Sequence, residues 1–107
     1  MRKKRETIVV CSAHSDDFVI GAGGTIAKYT AEGKKVIAIV FSFGEKSLPW
    51  LKEEVAQRVR SEETVGAEKI LNCKTIFFDL REFKFVEDYK KRKLEKKFLS
   101  VLKKANP

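Results

Sequence analysis

Three short runs of β-branched and aromatic residues recur along the chain, and each is followed by a stretch in which apolar residues are spaced as in a helix. The runs are TIVVCSA (7–13), VIAIVFSF (36–43) and TIFFDL (75–80). Almost wholly apolar runs are typical of strands covered on both faces, and strands that alternate with helices favour a parallel sheet with right-handed crossovers. The sequence therefore predicts an α/β fold of three layers, α/β/α, with a short parallel sheet.

Three helices are predicted between and after these strands. The first is expected over 22–31 with Gly33 as its C-terminal stop, and the second over 51–71, ended by Asn72 in a left-handed conformation. The third is expected over 88–104, with an apolar face and an opposite face that is nearly all lysine.

A carboxylate interrupts the apolar stripe of the second helix. Glu63 lies four residues after Val59 and four before Ala67. A carboxylate that faces the sheet needs a partner, and Arg60 lies one turn earlier. We therefore interpret Arg60 and Glu63 as a buried structural ion pair rather than as catalytic residues.

Length and composition favour one globular domain. The chain has 107 residues, of which 43% are hydrophobic, and no apolar run approaches the roughly 20 residues of a membrane span. The amino terminus does not match a signal peptide, so we expect a cytoplasmic protein.

Abundant Lys and Glu with almost no Gln is the composition of hyperthermophile proteins. Cys11 and Cys73 fit no C-x-x-C pattern, so free, buried thiols are expected.

The net charge of +8 comes from the two ends of the chain. Residues 2–5 are all basic, residues 87–104 hold eight basic and three acidic side chains, and the span between is close to neutral. Basic blocks of this kind contact nucleic acid in some proteins. Because no aromatic residues interleave and no nucleic-acid-binding module is recognised, we expect a solvated helix face, and a basic nucleic-acid-binding module ranks third among the functions considered.

The polar residues after the first strand carry the most chemical information. His14 and Asp17 are three residues apart, where a tight turn brings an imidazole nitrogen and a carboxylate oxygen onto one cation, and both are ordinary zinc ligands. Asp16 lies between them, where it can take a proton from a metal-activated water as a general base. In the alternative interpretation Asp16 or Asp17 caps the next helix and His14 is a polar residue at a strand end.

Two other kinds of site match the sequence poorly. Gly21 and Gly23 fit the first two positions of the dinucleotide-binding pattern G-x-G-x-x-G, but Ile26 occupies the third, and the preceding aspartates would repel a pyrophosphate. Ser12 and Ser15 lack the G-x-S-x-G elbow of a serine hydrolase.

Several motifs stand together in one order. They are AHSDD (13–17), GAGGT (21–25), the strand 36–43 and the helix pattern R-x-x-E-x-x-x-A-x-x-x-L (60–71). In this the chain resembles the amino-terminal half of the LmbE/PIG-L family of zinc-dependent N-deacetylases, which includes archaeal chitobiose deacetylases. The resemblance implies a Rossmann-like α/β fold, and it identifies residues 1–107 as a single partial LmbE-like domain, truncated relative to the family.

The resemblance also implies a site and a reaction. His14 and Asp17 are the implied zinc ligands, Asp16 is the implied general base, and Arg60 and Glu63 match a helix pattern to which we give a structural role. In the implied mechanism zinc polarises the acetamide carbonyl of an N-acetylated amino sugar and activates the attacking water. Asp16 then takes the proton of that water, and the products are a free amine and acetate.

Two departures from the family bear on this site. Ser15 stands where members of the family usually have proline, so the turn lacks that restraint on φ, and we expect less rigidly held ligands. The third zinc ligand of the family is a histidine from its second half, whereas His14 is the only histidine here. Because a catalytic zinc site takes three protein ligands, we expect the third from another chain or from a carboxylate such as Glu45. Without it the zinc is weakly bound or absent, and the chain is a non-catalytic, oligomeric remnant of the fold.

The expected sheet bears on oligomeric state. If the first strand is central, as in related folds, then strands absent from this sequence would have covered one of its edges. An uncovered apolar edge invites pairing with another chain. We therefore predict a homo-oligomer that buries this edge.

Overall fold

The computed structural model describes residues 5–107, Ser47 by its backbone alone. These residues form a parallel sheet in the order β1 (Thr7–Ser12), β2 (Lys35–Val40) and β3 (Lys74–Phe77). All three predicted strands are confirmed, with somewhat earlier ends. The sheet hydrogen bonds nevertheless continue beyond those ends, because the Phe41 N–H donates to the Ser12 carbonyl at 2.9 Å and the Phe78 N–H to the Val40 carbonyl at 2.9 Å.

Residues 5–107 contain four α-helices and one turn of 3-10 helix. These are α1 (Asp17–Ala31), the 3-10 turn (Glu45–Ser47), α2 (Glu53–Leu71), α3 (Phe85–Lys91) and α4 (Glu95–Ala105). Helices α1 and α2 supply side chains to the core on one face of the sheet, and α3 and α4 supply side chains to the core on the other. The predicted three-layer α/β/α architecture is therefore confirmed.

Helix α1 begins five residues earlier than the predicted start at residue 22, so that boundary was wrong. The side chain that decides it is Phe18, which is only 2% exposed and joins Ala22, Ile26 and Tyr29 in one stripe against the sheet. Glycines inside a helix each cost up to about 1 kcal/mol relative to alanine. Burial of this stripe, which holds two aromatic rings, offsets that cost, so the helix extends back past Gly21 to Asp17, whereas the predicted helix contained only Gly23 and Gly24.

The predicted third helix, 88–104, is two helices, and the single helix was wrong. Lys93 adopts a left-handed conformation with φ of 51°, and the Leu94 N–H donates to the Tyr89 carbonyl at 3.1 Å. The break allows Leu94 to be buried between the helices while Phe98 packs against the same core. Burial of apolar side chains on both sides of the break outweighs the continuation of one helix.

The predicted stripe of α2 is confirmed at Ala67, which packs against the core, but not at Glu63. Ala56 and Thr64 are the buried residues of α2, and Glu63 has a side chain that is 57% exposed. Arg60 Nη1 does lie 3.1 Å from Glu63 Oε2, so the ion pair forms, but at the surface. The predicted burial of this pair was wrong, because the stripe that contacts the sheet is rotated by about one residue. The predicted left-handed end at Asn72 is confirmed, with φ of 56°.

Side chains of the sheet divide between two apolar cores because successive residues of a strand point to opposite faces. Phe18, Ile26, Val36, Ala38, Val40 and Cys73 form the buried part of the core under α1 and α2. Ile39, Phe78, Leu80 and Leu94 form that under α3 and α4. Phe41 and Phe98 meet Phe78 edge-on in this second core, with ring centroids 5.2 and 6.3 Å away.

The two cysteines lie in different environments. Cys73 is buried as expected, and burial raises the pKa of its thiol. Cys11 is exposed near the end of β1, so the expectation of two buried thiols was wrong for it.

Most of the basic block at residues 2–5 lies outside the described residues, although Arg5 Nε donates to the Gly33 carbonyl at 2.7 Å. None of the helices in residues 5–107 is long and apolar enough to cross a membrane.

Replacing Phe78 with alanine tests the second core. Phe78 is fully buried between Phe41 and Phe98, so we expect Phe78→Ala to lower the free energy of unfolding by about 3–5 kcal/mol in urea denaturation. Ile70→Ala, at a side chain that is 85% exposed, is the control and should change it by less than about 0.5 kcal/mol. Equal effects of the two substitutions would contradict this packing.

Candidate functional site

The turn between β1 and α1 is held by Ser12, a buried residue. Its Oγ donates to the His14 carbonyl at 2.6 Å and accepts the Phe18 N–H at 3.1 Å. One hydroxyl therefore satisfies a carbonyl of the turn and a free N–H in the first turn of α1. This fixes the path of the chain through the predicted site residues.

His14 and Asp17 lie side by side, as the spacing predicted. Asp17 begins α1, and its Oδ2 accepts the backbone N–H of His14 at 2.9 Å and lies 3.5 Å from His14 Nδ1. Asp16 occupies the N-cap position of α1, but its side chain makes no capping hydrogen bond. The alternative interpretation was that Asp16 or Asp17 caps the helix. Asp16 does not act as a cap, and Asp17 closes the turn by accepting the His14 N–H.

Ser15, at the position usually held by proline, ties the turn to two other elements. Its side chain is buried, its Oγ donates to the Phe43 carbonyl at 3.0 Å, and its own carbonyl accepts the Thr64 hydroxyl at 3.4 Å. A proline would restrain this turn through φ. The serine instead links it by hydrogen bonds to the end of β2 and to α2, which the sequence pattern did not indicate.

A chain of carboxylates leads from the end of β2 to His14. Gly44, with φ of 74°, turns the chain into the 3-10 helix, where Glu45 is only 3% exposed. Glu45 Oε1 accepts the backbone N–H of Glu82 at 3.2 Å. Glu82 Oε2 accepts the backbone N–H of Lys46 at 2.6 Å, which leaves Oε1 of Glu82 3.2 Å from His14 Nε2. Glu45 thus positions Glu82, and it is Glu82 that lies against the imidazole.

Sequence reasoning missed Glu82. The available signal was its place just after the third strand, because the carboxyl ends of parallel strands meet at one edge of a sheet, where α/β proteins bind ligands. Glu82 was passed over because it lies in no recognisable motif.

The donors around His14 fit a zinc ion in part. An imidazole and a carboxylate side by side are suitable zinc donors, but Asp17 and Glu82 lie against opposite ring nitrogens and do not converge on one point. Residues 5–107 hold no group of three or more His, Cys, Asp or Glu side chains arranged to bind a metal ion. The carboxylate of Glu45 is engaged by Glu82 and by Ser42 Oγ, 3.5 Å away. A zinc ion on His14 and Asp17 therefore needs a further donor.

The loop that carries Glu82 is anchored by an ion pair between the buried Asp88 and Arg81, whose side chain is 55% exposed. Asp88 is 4% exposed; its Oδ2 accepts the Arg81 backbone N–H at 2.9 Å, and its Oδ1 lies 2.7 Å from Arg81 Nη2. These hydrogen bonds and the charge of Arg81 hold the pKa of the Asp88 carboxyl far below its ordinary value. The pair fixes one end of the loop to α3.

Phe83 is strained and exposed in the groove that His14 also lines. The Lys84 N–H donates to the Arg81 carbonyl at 3.0 Å, and within this turn Phe83 has φ of 67° and a side chain that is 84% exposed. A left-handed conformation costs an ordinary residue roughly 1–2 kcal/mol. The ring centroid of Phe85 lies 5.9 Å from that of His14, and these residues line an open groove of about 950 Å³.

Comparison with known proteins gives a family and a fold that agree with the structure described above. The family model described as PIG-L, GlcNAc-PI de-N-acetylase, matches residues 9–107. The chain belongs to the PIG-L family. The resemblance seen in the motifs of the sequence is therefore confirmed, and the parallel sheet between helical layers is the Rossmann-like fold that the resemblance implied.

Relatives in the PIG-L family differ in the reactions for which they are named. A 4-oxalmesaconate hydratase of Pseudomonas putida is 34% identical over 90 residues, which are 78% of this chain and 35% of the hydratase. The crystal structure of the 4-carboxy-2-hydroxymuconate hydratase of P. putida matches with a TM-score of 0.71 at 33% identity, over 75% of this chain and 36% of that one. The N,N'-diacetylchitobiose deacetylase of Pyrococcus horikoshii matches with a TM-score of 0.79 at 25% identity, over 95% of this chain and 38% of that one. The chain therefore spans little more than a third of the length of these relatives.

Acid titration tests the anchor of the loop. Because the folded-state pKa of Asp88 is lowered, its contribution to stability is fully present above the ordinary aspartate pKa of about 3.9 and is lost as the pH falls toward the folded value. We therefore expect the Tm of the wild-type chain to fall more steeply between about pH 5 and pH 2 than the Tm of Asp88→Asn. Glu62→Gln, at an exposed carboxylate of α2, should keep the wild-type slope. An Asp88→Asn profile parallel to wild type would contradict the assignment.

Proposed function

We propose that this chain is the metal-binding part of a zinc-dependent N-deacetylase that acts on N-acetylated amino sugars. His14 and Asp17 are the proposed zinc ligands, and Asp16 is the proposed general base. The observation that carries the proposal is the set of carboxylates that surrounds the imidazole at the carboxyl edge of the sheet. The proposal is also supported by the family description and by the deacetylase among the structural neighbours.

Charge around His14 favours a cation and a neutral substrate. Asp17 lies against Nδ1 of the imidazole, Glu82, with Glu45 behind it, lies against Nε2, and Asp16 precedes Asp17 in the chain. A divalent cation would neutralise about two of these four charges, so the immediate surroundings of the metal stay acidic, whereas Lys84 and Lys90 balance the acidic residues of the groove beyond them. An uncharged acetamide enters such a site without electrostatic penalty.

The same charges argue against the reaction named for the hydratase relatives. The name 4-carboxy-2-hydroxymuconate denotes a substrate with several carboxylates. Like charges brought together at short range repel each other strongly in a partly desolvated site. We therefore prefer deacetylation to hydration of a polycarboxylate, even though the sequence identity to the hydratases is higher.

Each residue then has a defined part in the reaction. A bound zinc ion would supply Lewis-acid activation of the acetamide carbonyl and of the attacking water. Asp16, whose carboxylate is not used as a helix cap, accepts the proton of that water and returns it to the departing amine. Glu82 Oε1 lies 3.2 Å from His14 Nε2, which leaves Nδ1, on the side of Asp17, as the nitrogen for a metal.

Zinc content and acetate release test the proposal together. With the further zinc donor supplied by a second copy of the chain, we expect the purified oligomer to retain about one zinc ion per chain and to release acetate from N,N'-diacetylchitobiose. Asp16→Asn should lower kcat by about 10²–10⁴-fold with the zinc content unchanged, since a general base contributes about that much. His14→Ala and Asp17→Ala should lose the zinc as well as the activity.

The control is Glu62→Gln on α2, which should match wild type in both measurements. A chain that retains zinc but hydrates a carboxymuconate without releasing acetate would refute the deacetylase assignment. A chain with neither zinc nor turnover would support the alternative of a non-catalytic remnant of the fold.

We also propose that the chain is a homo-oligomer that pairs through β1. Within residues 5–107, β1 has a neighbour on one side only, so its other edge is uncovered, as the sequence led us to expect. The carbonyls of Glu6 and Ser12 bond β2, and because backbone groups alternate in direction along a strand, those of Val9 and Cys11 point to the open edge. Exposed backbone donors and acceptors of this kind template pairing with a second strand.

Light scattering at micromolar concentration tests this pairing. The wild-type chain should be an oligomer, and Cys11→Pro should shift it toward monomer because proline removes an outward N–H at an exposed side chain. Cys11→Ala keeps the N–H and should remain oligomeric. A stable wild-type monomer would refute the proposal.

A further inference from the structure

The groove beside His14 has an apolar floor and rim that the proposed chemistry does not use. Phe83 and Val86 are 84% and 68% exposed, and both line the groove together with His14. Side chains this apolar gain nothing from facing water. Their position next to the imidazole is where the non-reacting part of a substrate would lie.

Phe83 is held in this position against its own conformational preference. The turn from Arg81 to Lys84 has Phe83 at its third position with φ of 67°, where glycine or asparagine is the usual residue. The neighbouring anchors, Asp88 on Arg81 and Glu45 on Glu82, leave the turn no freedom to relax. A residue with a strained backbone whose side chain is not buried is characteristic of functional sites.

The charges that line the groove cancel. Glu82 and Glu87 are balanced by Lys84 and Lys90, and Lys84 Nζ lies 3.6 Å from Glu87 Oε2. A groove with no net charge and an exposed aromatic ring suits a neutral ligand that has an apolar face and a polar rim. A sugar ring is such a ligand, because its axial C–H groups pack on the negative face of an aromatic ring while its hydroxyls reach the surrounding charged side chains.

We propose that Phe83 is the platform on which the sugar ring of the N-acetylated substrate packs, so that this residue sets the preference for a ring over a small acetamide. This inference rests on the proposed function, since it takes the substrate to be an amino sugar. Phe83 is a specificity-determining residue in this scheme, and it takes no part in proton transfer.

Glycine at position 83 separates the two roles of the residue. Phe83→Gly relieves the left-handed strain, so it should raise the Tm, and it removes the ring, so it should weaken binding of N,N'-diacetylchitobiose about tenfold. Phe83→Tyr keeps the ring and should bind within about twofold of the parent. Leu99→Ala, at an exposed leucine of α4, is the control and should leave binding unchanged.

Binding is measured by isothermal titration calorimetry in an Asp16→Asn background, so that the disaccharide is not hydrolysed during the titration. The probes are N,N'-diacetylchitobiose, acetamide and citrate. Weaker disaccharide binding by Phe83→Gly, with acetamide binding unchanged, supports the platform. Disaccharide binding by Phe83→Gly that equals binding by the parent overturns the platform. A parent that does not bind the disaccharide, or that binds citrate more tightly than the disaccharide, also overturns it.

The failures of the two proposals are distinguishable. If the wild-type chain releases acetate and Phe83→Gly binds the disaccharide as tightly as its parent, the platform alone fails. If Phe83→Gly loses disaccharide binding and the wild-type chain releases no acetate, the deacetylase reaction alone fails.

Discussion

The hydrogen bonds of the Ser12 hydroxyl are the constraint on which the rest of the site depends. Ser12 is the last residue of β1 and lies opposite Val40 in the sheet. Its side chain fixes the carbonyl of His14 and the N–H of Phe18 together, so the end of a strand, the turn and the start of a helix become one unit. Loss of this hydroxyl would leave the buried N–H of Phe18 without a partner, which is more costly than losing a hydrogen bond at the surface, and would leave the His14 carbonyl with only the Asp17 N–H at 3.4 Å.

Each strand of the sheet contributes one element to the surroundings of His14. The turn after β1 carries the imidazole itself, the 3-10 helix after β2 carries Glu45, and the loop after β3 carries Glu82. The contacts run in series, because Glu45 holds the backbone of Glu82 and Glu82 holds the side chain of His14. The imidazole therefore lies against a side chain that is positioned from the far side of the sheet.

The strands and the turn were predictable because their signals are local. Runs of β-branched residues and the spacing of His14 and Asp17 can be read without knowledge of the neighbours. The start of α1 was not predictable in this way, since three glycines mask a helix whose stability comes from burial of Phe18 against the sheet. Glu82 was missed because its role depends on contacts with residues 37 and 68 positions away in sequence. Glu63 was misplaced because a rotation of one residue about the helix axis exchanges a buried position for an exposed one.

The glycines within α1 have a consequence for the order in which the molecule assembles. Gly21, Gly23 and Gly24 make this the helix with the lowest intrinsic tendency to form before the sheet exists. We therefore expect α1 to form only together with the core that receives Phe18 and Ile26. Because Asp17 lies in the first turn of α1, we expect the turn between β1 and α1 to become fixed late in folding.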